Sequence, residues 1–157
     1  MNFIRVSAAM GILLCVGCKH LEPRSQSKAD KTETNAPLVF QVSFPASVRS
    51  ETATGRLLLF LSQTASEPRN HIDWMDFDPV YAVDVTNLAP NAVVEMKPRD
   101  FRRPDALAFP MPLSRLAPGE YTAQLLLDLD NTARDWNDGP GNLFSAPQHC
   151  WLKGGNG

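Results

Sequence analysis

The chain has 157 residues, with 15 Lys and Arg against 17 Asp and Glu and a formal net charge of −2. No concentrated basic run stands out, which argues against a nucleic-acid partner. With 43% hydrophobic residues and 3 cysteines, the length suits one domain that builds a core without disulfide staples.

Met1 to Arg5 makes a short, positively charged start, followed by an apolar run from Val6 to Leu14. Such a run is too short to cross a hydrocarbon layer of about 30 Å, which takes roughly 20 residues. A cleaved leader is the better reading. Leu14-Cys15-Val16-Gly17-Cys18 resembles the lipobox of bacterial lipoproteins, departing from it where Cys15 stands in the place usual for Leu. The resemblance implies that residues 1–17 are a signal peptide and that Cys18 carries diacylglycerol and a further acyl chain such as palmitate. The expected partner is then the membrane, and the expected location is the bacterial cell envelope. Lys19, rather than Asp, after the acylated cysteine implies sorting to the outer membrane in a Gram-negative host. Processing would remove Arg5 and leave 14 basic against 17 acidic side chains. Cys150 would then stand without a partner, either as a reactive thiol or as a small buried residue.

Residues 18–36 form the next unit, the acylated cysteine followed by KHLEPRSQSKADKTETNA. One large apolar residue, Leu21, among so many polar ones cannot offset chain entropy. The segment is predicted to be a disordered tether, with a reach on the order of 25 Å as a flexible coil.

Residues 37–157 are predicted to be a single β-domain. Leu38, Phe40, Val42 and Phe44 alternate with more polar neighbours, the period of a half-buried strand. Arg56 to Leu61 is apolar on both faces and reads as a central strand. Tyr81, Val83 and Val85 alternate next, with a turn over residues 87–90. Residues 92–96 and 106–111 predict short strands, the second limited by Pro110 and Pro112. Tyr121 to Leu129 is the longest alternation, and a last strand falls within residues 143–152. Nothing sustains a helical period. Six to seven short strands between turn residues predict an all-β, antiparallel sandwich. In Leu116-Ala117-Pro118-Gly119-Glu120-Tyr121 a Pro-Gly turn precedes a Tyr at the head of a strand. That pattern resembles the tyrosine corner of immunoglobulin-like folds and gives Pro118, Gly119 and Tyr121 a structural role.

Several phrases together resemble the N-terminal β-sandwich region of predicted enterochelin-esterase-like proteins, which precedes an α/β-hydrolase domain. They are Thr54-Gly55-Arg56-Leu57, Glu67-Pro68-Arg69, Ala82-Val83-Asp84-Val85, Leu88-Ala89-Pro90, Leu116 to Tyr121, and Pro140 to Ser145. The resemblance implies a module that accompanies a hydrolase or another envelope protein, or a detached or truncated part of one. The chemistry of that family belongs to the hydrolase domain, and no Gly-x-Ser-x-Gly occurs here. No catalytic residue is therefore predicted, and the expectation is a non-catalytic accessory or binding module.

One constellation remains. Residues 63–78 and 130–141 hold seven acidic side chains against Arg69 and Arg134, and each stretch carries one tryptophan. Immunoglobulin-like connectivity, counted along the chain, places both connections at one end of the sandwich. Asp73, Trp74, Asp76, Asp78, Asp130, Asp135, Trp136 and Asp138 are then candidates for a calcium or glycan site. Carboxylates supply the oxygens Ca2+ prefers, and an aromatic beside them can hold a sugar ring. Read plainly, the same residues are solvated turns and core caps. The EF-hand pattern fails, because the twelfth position counted from Asp128 is Gly139. His149 and Cys150, adjacent on a predicted strand, are expected to point to opposite faces and not to form a nucleophile pair.

Overall fold

Leu57, Leu59 and Leu61 point to one face of a strand, Leu58 and Phe60 to the other, and all five are buried. A strand apolar on both faces needs a cover on each, so it belongs at the middle of a layered structure. A computed structural model, which describes residues 3–8, 38–71, 77–130 and 139–153, places it there.

The strands are β1 (Phe3–Ala8), β2 (Phe40–Ser43), β3 (Ala53–Ser62), β4 (Val80–Leu88) and β5 (Val94–Met96). They continue with β6 (Leu107–Phe109), β7 (Gly119–Asp128), β8 (Leu143–Ser145) and β9 (Gln148–Leu152). Among the described residues the only helical pieces are three short 3-10 turns. The predicted all-β antiparallel sandwich is what forms.

The larger layer is antiparallel. β3 pairs with β4 on one side and β7 on the other, β6 extends it beyond β4, and β8 and β9 both pair with β7. β2 and β5 pair antiparallel in the facing layer. Between the layers lies one core. Phe40, Val42, Phe44 and Met96 from the small layer meet Leu57, Leu59, Leu61, Tyr81, Val83, Leu125 and Leu127 from the large one. Each such aliphatic or aromatic side chain contributes roughly 1.5–3 kcal/mol by leaving water. A second, smaller cluster of Leu58, Phe60, Ala82 and Leu126 lies on the opposite face of the large layer.

The last predicted strand is two strands. β8 pairs with the second half of β7 and β9 with the first, the break falling at Ala146 and Pro147. Pro147 has no N–H to give to the ladder. Across the break the buried Ser145 supplies acceptors to β7: its Oγ accepts the Leu125 N–H at 2.9 Å, and its carbonyl accepts from Gln124 Nε2 at 3.2 Å.

β1 was not anticipated as a strand. Its residues Arg5 to Ala8 pair antiparallel with β2, while Phe3 and Ile4 pair parallel with β8. One short strand thus joins the edges of both layers. Residues 9–37, which include most of the predicted leader, Cys18 and the tether, lie outside the described residues.

Candidate functional site

The two acidic connections do not share an end of the sandwich. Ser62, at the end of β3, pairs with Thr122 at the start of β7, and Arg56 near the start of β3 pairs with Asp128 at the end of β7. Residues 63–79 therefore leave the sheet where β3 ends, and residues 129–142 leave it where β3 begins. The span from Arg56 to Ser62 is about 20 Å. The expectation of a composite site is corrected on this point. Its physical reason is that β7 pairs antiparallel with β3, so the end of one lies beside the start of the other, whereas immunoglobulin-like connectivity counted along the chain runs the two strands in the same direction.

Of the individual candidates, Asp73, Trp74, Asp76, Asp135, Trp136 and Asp138 lie outside the described residues. Asp78 stands at one end, its Oδ2 3.1 Å from His71 Nδ1. Asp130 stands at the other, where its backbone N–H donates to Asp128 Oδ1 at 3.1 Å in an Asx turn. Among the described residues no three His, Cys, Asp or Glu side chains gather in metal-binding geometry.

The tyrosine corner is present. Tyr121 Oη donates to the Ala117 carbonyl at 3.0 Å, tying the head of β7 to the connection that precedes it. Burial pushes its hydroxyl pKa up, which keeps the phenol a donor. Between the bond partners Pro118 forms a bend and Gly119 opens β7. A Cβ on Gly119 would come within 2.7 Å of Gln63 Nε2, the movable end of a side chain.

Residues 97–104, after β5, carry four basic side chains, and three of them have a carboxylate neighbour. Lys97 pairs with Glu95 at 2.5 Å, Arg103 with Asp105 at 2.7 Å, and Arg99 approaches Asp100 at 4.0 Å. Hydrogen bonds from Lys97 and Gln41 hold the Glu95 carboxyl below its ordinary pKa. Asp105 is also held low, first by its own backbone N–H and then by Arg103. These surface ion pairs are each worth little in water.

His149 and Cys150 separate as the alternation predicts. His149 Nδ1 lies 3.1 Å from Thr122 Oγ1 on one face, while Cys150 packs against the main core on the other. Burial raises the Cys150 pKa, so the sulfur is held as thiol rather than thiolate.

Two surface features were not anticipated from sequence. Phe77 and Phe109 are both 43% exposed and meet edge to face with centroids 5.1 Å apart, beside the edge strand β6. Next to them a cavity of about 320 Å3 opens between Phe77, Asp78, Met111 and Arg115. The Arg69 guanidinium sits 4.4 Å above the Phe144 ring while its backbone N–H donates to Gln124 Oε1 at 3.1 Å. These contacts seat the residues 67–71 turn on the second apolar face. Each pairing joins residues far apart in sequence, so no local signal marks it.

Comparison of the chain with family models, with curated proteins and with solved structures finds no match.

Proposed function

We propose that this chain is a lipid-anchored, non-catalytic β-sandwich module of a bacterial envelope, acting by binding or by accompanying another protein. The observation that carries the reading is Cys18, set at the end of a short basic-then-apolar leader and followed by a polar tether of about 18 residues before the first core strand. That order of parts is what membrane display of a folded domain requires. Cys18 is acylated, the tether holds the domain off the bilayer, and the sandwich presents its loops and edges. Support for a binding role comes from the exposed Phe77–Phe109 pair beside edge strand β6, since apolar surface next to an open strand edge is a common means of protein contact.

Metabolic labelling with a palmitate analogue tests the anchor. The wild-type chain should label and stay with the membrane fraction, and Cys18→Ser should do neither, because a serine hydroxyl cannot form the thioether. Labelling that survives in the Cys18→Ser chain overturns the reading.

A further inference from the structure

The strand position between β2 and β8 is filled by six residues that belong to the predicted leader. β1 lies between them in the order β5-β2-β1-β8, and β2 has β5 on its other side. Taking β1 away leaves one edge of β2 and one edge of β8 with unmet backbone N–H and C=O groups. An open edge of this kind recruits another strand.

We propose that the processed chain presents this position vacant, and that it accepts in trans an extended protein segment with apolar residues at alternate positions. The inference rests on the signal-peptide reading above. The register defines the occupant: it runs antiparallel to β2 and parallel to β8. It places one residue opposite Phe40 and another opposite Val42, the positions that Ala8 and Val6 take in β1. Phe40 and Val42 are 0% and 2% exposed, so those two register positions belong to the core layer. The positions opposite Gln41 and Ser43, held by Ser7 and Arg5, belong to the other face and accept polar residues. The chain's own tether is a poor substitute. Residues 19–36 contain Leu21 and Pro23 but no period-two apolar alternation. A partner strand meets the backbone requirement through the ladder, and its alternate apolar side chains meet the core requirement.

The test uses the processed chain, residues 18–157 with Cys18→Ser, and a synthetic peptide of residues 2–9 as the probe. Hydrogen exchange is followed at residues 40–43 and 143–145. The peptide should slow exchange in both segments at least tenfold, and the same peptide with Val6→Pro should not. A processed chain that melts without cooperativity alone and cooperatively with the peptide also supports the proposal. Segments already protected without peptide, exchange unchanged by it, or a chain that stays uncooperative in its presence would each overturn it. Intact mass of the native membrane-extracted chain separates the two readings. Retention of residues 1–17 fails the anchor reading and, with it, the vacant position. Correct processing with no peptide effect fails the strand position alone.

Discussion

Tyr121 and Tyr81 lie in the same core, yet their hydroxyls have opposite fates. The Tyr121 hydroxyl donates to the Ala117 carbonyl at 3.0 Å, whereas the Tyr81 hydroxyl is buried without a hydrogen-bond partner among the described residues. Tyr81 is 0% exposed and its ring lies 5.2 Å from that of Phe101.

The same substitution should therefore have opposite effects at the two sites. Tyr121→Phe leaves a part-buried carbonyl without its donor and should cost about 1–3 kcal/mol. Tyr81→Phe removes a polar group that is desolvated and unbonded, and should be neutral or stabilising by up to about 1 kcal/mol. Urea midpoints at unchanged slope check both. Equal losses at the two sites would contradict the assignment of the corner to Tyr121.

Tyr81 also carries a pH signature. Burial, with a smaller contribution from Tyr121, pushes its pKa up to about 12. In the unfolded chain it titrates near 10. Between those values the folded state holds a proton that the unfolded state has released, so its contribution is full below about pH 10 and is lost as pH rises through about 12. The wild-type chain should lose more stability across that window than Tyr81→Phe does. Melting curves at matched ionic strength measure the difference.

The break between β8 and β9 rests on Ser145. Its Oγ is the acceptor for a buried N–H of the central strand β7. Ser145→Ala keeps the volume nearly constant and leaves the Leu125 N–H unpaired, at a cost of about 1–3 kcal/mol. Exchange at the Leu125 amide should quicken in the same variant. An unchanged amide would mean that another acceptor takes over.

How far the sequence determines this fold differs from strand to strand. Arg56 to Leu61 is legible because it is apolar on both faces, Tyr121 to Leu129 because its alternation records burial directly, and the corner because Pro118, Gly119 and Tyr121 lie within four residues of one another. The split at Ala146 and Pro147 was hidden, because it depends on a serine side chain replacing a main-chain acceptor across to β7. Placing residues 63–78 and 130–141 at one end failed for a similar reason. Which strand β3 chooses as neighbour is a long-range matter, and counting strands along the chain does not reveal it. β1 was missed because Phe3 to Ala8 is equally compatible with a leader and with a strand. Of the candidate acidic residues, only Asp78 and Asp130 fall among the described ones, the first beside His71 and the second in an Asx turn.

Two glycines separate steric need from conformational need. At Gly55, beside the irregularity in the β3–β4 pairing, a Cβ would overlap the Asp128 carbonyl oxygen. The Cβ is fixed by the backbone that carries it and its neighbour is main chain, so neither can swing away. Gly55→Ala must push β3 from β7 and should cost about 3 kcal/mol or more, at the upper end of overpacking effects. At Gly141 nothing lies within 4 Å, but φ is +83°. Gly141→Ala meets only the left-handed backbone penalty, about 1–2 kcal/mol. The two variants also differ in where they act. Gly55→Ala should speed exchange along the β3–β7 ladder from Arg56 to Leu58, and Gly141→Ala should leave that ladder protected. Equal, local effects in both would show that β3 and β7 do not approach closely at Asp128.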